Sequence, residues 1–400
     1  MTNTARLSRT LRAALVVLLL VLVLSSRLRA DSGMCGGQTI TLPFSDVMGS
    51  IFFCSIAEIY FQGITVGTSP TTYSPATNVT RDQMAAFLSR TLDTGLHRRG
   101  ERAALDQFWT TTPHYDIGLG TTTLTGATRI SSDGLHVWVT DSLNDSVYRV
   151  RASDGKLLDT WTGAGGAHSA VCAMSRVFIT GWNSGAHDLY MIDPASAPGA
   201  VTTVTTALGS APKGIAFDGN KIWTSDDLFV SIVTPGSTMP WSVVNVADPG
   251  HLNGGIIYDG ANIWVTGFGL PGTLKKLDSS GNVLQIVTVG NSPQFPAFDG
   301  KNIWVPNESS NSVTVVRAST AEVLATLSGN GLNFPTYAAF DGERILVTNT
   351  GGDSVSLWKA TDLTPLGSFS TGNHNGPVGA CSDGQYFWVT LTLTNQLARF

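Results

Sequence analysis

Seven copies of one short phrase predict a mainly β chain, a seven-bladed β-propeller preceded by a small α-helical domain. The phrase FDGKNIWV runs from Phe298 to Val305. It returns as SDGLHVWV from Ser132, FDGNKIWT from Phe217, YDGANIWV from Tyr258, FDGERILV from Phe340 and SDGQYFWV from Ser382. A worn copy, CAMSRVFI, starts at Cys172. Counted from the Asp of each Asp-Gly, or from Ala173 in the worn copy, the marks stand at 133, 173, 218, 259, 299, 341 and 383. Their spacing of 40 to 45 residues, with several short strands in each unit, is what a propeller blade requires.

Each unit has a mechanical reading. Asp-Gly tolerates the φ > 0 conformations of a tight turn and joins two antiparallel strands. The strand before it is short, as in Gly214-Ile215-Ala216-Phe217. The strand after it is apolar at consecutive positions, as in Ile263-Trp264-Val265 and Ile303-Trp304-Val305. A strand apolar on both faces is covered on both faces, so the tryptophan stripe is core between neighbouring blades. The last unit holds GACSD, QYFWVTL and NQLARF, three strands of a blade that needs four. Tyr115 to Gly120 stands where an outer strand would precede the first mark, so the propeller is expected over 108–400, closed by an N-terminal outer strand. The stretch ILVTNTGGDSVSLWKATDLTPLGSF, from Ile345 to Phe369, resembles YVTN and NHL-type propellers. That resemblance implies an architecture and no chemistry.

Of the 400 residues, 42% are hydrophobic and 13% charged, with 43 glycines and a net charge of −5. The chain is too polar for a membrane bundle, and no basic concentration suggests nucleic acid as a partner. Arg6, Arg9 and Arg12 precede an apolar run from Ala13 to Leu24, too short to span a bilayer but suited to a signal peptide over 1–30. The competing reading is an uncleaved anchor, since Arg27 and Arg29 follow the run. Export to the cell surface or the medium, with no transmembrane span in the mature chain, is the expectation. Export makes disulfides possible. Cys35 and Cys54 share one small segment and are expected to pair, whereas Cys172 and Cys381 lie on first strands of non-adjacent blades and read as buried thiols.

From Leu42 to Leu96 the pattern is helix, loop, helix. Asp46 can cap a first helix carrying Ile51, Phe52, Ile56, Ile59 and Tyr60. Thr80 and Gln83 form a capping box for a second, with Met84, Phe87, Leu88 and Leu92 on its apolar face. Phe44-Ser45-Asp46-Val47, Gly63-Ile64-Thr65-Val66-Gly67, Tyr73-Ser74-Pro75 and Val79-Thr80-Arg81-Asp82-Gln83-Met84 together resemble one repeat of the S-layer homology domain. The resemblance places such a domain over 38–97, followed by a linker over 98–107. It implies cell-wall or envelope polysaccharide as partner, with Arg81 facing the anionic sugar, Thr80 at the helix start and Asp46 orienting the guanidinium. The chain departs from that family in having a single repeat and Asp82-Gln83 where a small residue and an acid are usual. Arg81 could equally serve the start of its own helix or pair with Asp46.

Alignment of the units shows where a propeller site could lie. Five residues before the marks stand Thr128, His168, Lys213, Gly254, Gln294, Thr336 and Val378; eight after them stand Asp141, Gly181, Asp226, Gly267, Asn307, Asn349 and Leu391. The second set reads first as turn formers. His168, Lys213, Asp226, Asn307, Glu308, Asn349 and His374 are the candidates for a polar channel mouth that takes a protein or a small ligand. The propeller has three glutamates (Glu308, Glu322, Glu343) and no Gly-x-Ser-x-Gly elbow, so no catalytic residue, cofactor or metal ligand is assigned. The sequence therefore points to an exported surface-attached binding protein. The alternative is a metal-dependent propeller lyase or lactonase-type hydrolase, kept open by His168, His251 and His374 in loops that enter first strands.

Overall fold

The computed structural model describes residues 30–35, 38–61, 64–95, 116–117, 124–182, 187–247 and 253–400. Apart from Ala30, the expected signal peptide lies outside them, as do the linker over 98–107 and His251. The chain divides into two units, Met1–Ala103 and Ala104–Phe400.

The first unit contains β1 (Asp31–Cys35), β2 (Gln38–Leu42), α1 (Phe53–Phe61) and α2 (Arg81–Gly95), with β1 and β2 antiparallel. The β1–β2 hairpin was not anticipated from the sequence. Cys35 and Cys54 are disulfide-bonded, tying β1 to α1 with Cα atoms 5.6 Å apart. Leu42, Phe44, Val47, Phe53, Ile56 and Ala57 form its core. The first helix starts later than expected: Ile51 and Phe52 are exposed and precede it. Asp46 does not cap it, because its two oxygens accept the Tyr73 and Ser74 backbone N–H groups at 2.8 and 2.7 Å. The capping box of α2 does form, with Thr80 N–H to Gln83 Oε1 at 3.0 Å and Gln83 N–H to Thr80 Oγ1 at 3.2 Å.

The second unit is a mainly β, seven-bladed propeller of four-stranded antiparallel sheets. Blade 1 runs Ala127–Ser132, His136–Asp141, Ser146–Arg151 and Leu157–Thr162 from the axis outward. The sequence explains each inner hairpin through its Asp. In blade 5, Asp299 Oδ1 accepts the Lys301 and Asn302 backbone N–H groups at 2.8 and 2.6 Å, and Oδ2 accepts the Trp304 indole N–H at 2.7 Å. The same indole bond joins Trp138 to Asp133, Trp223 to Asp218, Trp264 to Asp259 and Trp388 to Asp383, at 2.7–3.0 Å. The Gly after the Asp carries the positive φ, 90° at Gly300, so the pair divides the work between side chain and backbone.

The second strands are buried on both faces, as a two-sided apolar pattern requires. Alternation sends the tryptophan forward and its neighbours back. Trp138 packs with Val177 and Ile179 of blade 2, while Val137 and Val139 pack with Trp388 of blade 7. Each blade-to-blade seam has one such cluster, the worn blade contributing Phe178 and blade 6 Leu346. The ring closes where blade 7 takes β3 (Asp116–Ile117) as its outer strand beside Gln396–Arg399, with Asp116 opposite Arg399 and Ile117 opposite Ala398.

Two outcomes follow from this architecture. Deleting residues 108–124 removes the strand that joins the two ends of the propeller. Its thermal midpoint is expected to fall well beyond that of an equally long surface-loop deletion, as calorimetry would show. Asp299→Ala leaves a buried indole and two backbone N–H groups without their acceptor and is expected to cost about 2–3 kcal/mol in denaturant unfolding. Combined with Trp304→Phe it should cost less than the sum, with a coupling of about 1 kcal/mol. Simple additivity would assign the Asp to the turn alone.

Candidate functional site at the channel mouth

The inner strands are joined around the axis by side-chain hydroxyls seven residues after each mark: Thr140, Thr180, Ser225, Thr266, Thr348 and Thr390. Each accepts the backbone N–H of its own inner strand (Arg129, Ser169, Gly214, Gly255, Tyr337, Gly379) at 2.8–3.2 Å. Each also donates to a carbonyl of the next blade: His168, Lys213, Gly254, Gln294, Val378 and, closing the circle, Thr128. Blade 5 has Pro306 at this position, and there the relay is skipped. Phe295 N–H donates straight to the Thr336 carbonyl at 3.1 Å, and Ala338 N–H returns to the Phe295 carbonyl at 3.0 Å.

Above this belt, the residues five before and nine after the mark pair within the blade in five of the seven blades and line the mouth. The Thr128 and Ser142 hydroxyls lie 3.3 Å apart. The rings of His168 and Trp182 have centroids 5.4 Å apart. Lys213 Nζ donates to Asp227 at 2.8 Å and sits 5.5 Å from the Phe268 ring. Gln294 Nε2 donates to Glu308 Oε2 at 2.5 Å, and the Thr336 and Thr350 hydroxyls meet at 2.7 Å. Trp182 is 45% exposed and forms the aromatic part of the rim.

One residue deeper the channel is filled. Phe295 and Tyr337 stack at 4.7 Å and 9°. The Arg129 guanidinium carbon lies 4.9 Å from the Phe295 ring centre and 6.0 Å from that of Tyr337. His168 reaches the same Phe295 from blade 2, centroid to centroid 6.2 Å. Its Nδ1 is 2.8 Å from the Lys213 carbonyl, which can only accept, so Nδ1 carries the proton and Nε2 the lone pair in the neutral ring. Burial, reinforced by the charges of Arg129 and Lys213, lowers the His168 pKa to about 3. Burial likewise lifts the Tyr337 hydroxyl to about 12. Toward the opposite face, burial raises the free Cys172 and Cys381 thiols, Cys172 to about 12; both are half-buried.

The candidate residues separate. His168, Lys213 and Glu308 stand at the mouth. Asp226, Asn307 and Asn349 are fully buried inside their own blades. Asp226 accepts Thr224 Oγ1, Ser231 Oγ and Gly209 N–H, and burial raises its pKa to about 6. Asn307 Nδ2 donates to the Ser312 and Thr314 hydroxyls, and Asn349 Nδ2 to those of Ser354 and Ser356. The His374 side chain is exposed, and its backbone N–H caps Asp353 at 2.9 Å. Among the described residues no three of His, Cys, Asp and Glu form a metal-ligating cluster. In the first unit, Thr80 and Arg81 are exposed at the start of α2, while both carboxylate oxygens of Asp46 are taken up by the Tyr73 and Ser74 backbone N–H groups of its own loop. Trp182, Phe268, Phe295, Tyr337 and above all Arg129 were not anticipated from the sequence. Their signal was available as two further aligned positions, four before and nine after each mark.

No protein-family model matches the sequence, and no curated protein matches it. Solved structures do share the fold. Virginiamycin B lyase of Staphylococcus aureus superposes with a TM-score of 0.58 at 16% identity, over 72% of this chain and 99% of that one. A streptogramin B lyase gives 0.59 at 14% identity over 71% and 97%. The WD40 propeller domain of Doa1 gives 0.59 at 13% identity over 72% and 97%.

The shift at His168 sets a pH dependence. Its folded pKa lies below the ordinary 6.5, so between about 3 and 6.5 the unfolded chain takes up a proton that the folded one refuses. The neutral His168 therefore favours folding fully above about 6.5, and that advantage is lost as pH falls. Asp226, raised to about 6, works in the opposite sense, so the comparison must be with a variant. The stability of wild type relative to His168→Gln is expected to shrink on acidification from pH 7.5 to 4.5, by up to about 1.4 kcal/mol per pH unit. Denaturant midpoints at several pH values measure it, and a pH-independent difference would mean that His168 titrates normally.

Proposed function

We propose that this chain is an exported binding protein that holds a ligand in the mouth of its propeller and stays at the cell envelope through its first unit. The observation that carries the reading is the channel itself. Phe295, Tyr337, Arg129 and His168 close it one residue below the rim, so a ligand entering the mouth stops against an aromatic floor among paired polar groups. Aromatic surface combined with a few placed polar groups is what small-ligand sites offer. Export is supported by the apolar run Ala13 to Leu24 and by the Cys35–Cys54 disulfide.

Attachment rests on the S-layer-like motifs and on Arg81, exposed at the N-terminal end of α2, where helix dipole and guanidinium both favour an anionic saccharide. Asp46 serves its loop in this reading and leaves Arg81 to the sugar. The alternative is a propeller lyase or lactonase-type hydrolase with a divalent metal at the same mouth. It draws on the architecture shared with virginiamycin B lyase.

Co-sedimentation of the full mature chain with purified envelope polysaccharide tests attachment. Arg81→Ala is expected to reduce the bound fraction at least fivefold, Arg81→Lys to recover part of it, and added salt to loosen it. Equal sedimentation of wild type and Arg81→Ala would remove the anchor. Titration with Mg²⁺, Mn²⁺ and Zn²⁺ addresses the alternative. A saturable, chelator-reversible rise in melting temperature would favour the metal enzyme, and an unchanged melting curve is expected for the binding protein.

A further inference from the structure

We infer that the ligand of the channel mouth is a small organic carboxylate, with the Arg129 guanidinium as its counter-charge. The inference rests on the mouth being a ligand site and adds the chemical class. Arg129 rises from the inner strand of blade 1 into the channel, where it is largely buried. Its Nε is out of reach of solvent and has no hydrogen-bond partner, and Nη1 reaches only the Thr128 carbonyl, at 3.5 Å. No carboxylate among the described residues pairs with it. Two acids that face the mouth are already engaged, Asp227 by Lys213 and Glu308 by Gln294.

A guanidinium remains charged under all ordinary conditions, and a buried charge without a partner is costly. Here the face of Phe295 supplies part of the compensation, and burial lowers the Arg129 pKa. The neighbouring His168 stays neutral, so it neither competes for an anion nor repels the arginine. A carboxylate matches the guanidinium fork with two parallel hydrogen bonds. The rest of the mouth decides against a bare inorganic anion. Trp182 and Phe268 offer apolar rim surface, and a phosphate dianion would need several further donors that this rim has already paired. An organic carboxylate uses both features: its charge goes down to Arg129 and its body stays between the rim aromatics.

Calorimetric titration of the full mature chain with benzoate, benzyl alcohol and inorganic phosphate tests this. Benzoate is expected to bind once per chain, at least tenfold more tightly than benzyl alcohol. Arg129→Met should remove that advantage, and added salt should weaken it. Because the substitution deletes a buried unpaired charge, its melting temperature is expected to hold or rise. If Arg129→Met does not fold, Trp182→Ala at the exposed rim takes its place and should weaken benzoate and benzyl alcohol alike. Equal binding of the two aromatics, unaffected by Arg129→Met, would leave the mouth as a ligand site and overturn the carboxylate. Binding of phosphate in preference to benzoate would overturn the organic part. Absence of binding by all three probes would count against both readings.

Discussion

The hydrogen bond from a buried indole to the aspartate of its own hairpin is the contact on which the propeller depends. A blade seam needs a large apolar side chain from the second strand, and tryptophan is the largest available, but its N–H cannot be left unpaired in a dry interface. The Asp five residues earlier solves this with one carboxylate. One oxygen ties the turn through two backbone N–H groups, and the other accepts the indole, in five of the seven blades. Turn geometry, strand register and seam packing are thereby set by a single side chain.

The two departures obey the same physics. Blade 6 keeps Asp341 but has Leu346 in place of tryptophan, and Arg344 Nε takes the vacated oxygen at 2.9 Å. Blade 2 has lost both partners together, with Ala173 and Phe178, so no polar group is stranded. Its turn then relies on Met174 and Ser175 at φ 50° and 56°, a conformation the other blades leave to glycine. Around the axis the hydroxyl belt shows equivalent economy. Where Pro306 removes the relay, the two backbone groups it would have bridged bond directly.

Blades 2 and 6 break the seam rule and blade 5 the belt rule; blades 2 and 5 lie three blades apart and meet across the channel through His168 and Phe295, which stacks on Tyr337 of blade 6. Blade 2 also supplies Trp182, and blade 5 Gln294 and Glu308. Irregularities that concentrate on facing blades and bring their side chains to one place are the pattern expected of a functional site on a repetitive scaffold. Blades 1, 3, 4 and 7 keep both the indole bond and the hydroxyl belt and act as the frame.

Periodicity alone determined the number of blades, the position of the hairpins, the two-sided burial of the second strands and the need for an outer strand from the front, because each follows from local pattern and strand count. The Cys35–Cys54 pairing was legible from proximity within a small segment. What only the tertiary structure decided was which way each aligned residue faces. Side chains alternate along a strand: the position eight after the mark turns Asp226, Asn307 and Asn349 into the blade, while the ninth places Asp227 and Glu308 at the mouth. A shift of one residue exchanges core for site, and a pattern of turn-forming residues carries no sign of it. Arg129 escaped for a related reason. Its position holds Ser, Gly or an aromatic in the other blades, so repetition gave it no emphasis. Its meaning comes from Phe295 and Tyr337, more than 160 residues away, which only closure of the ring brings beside it.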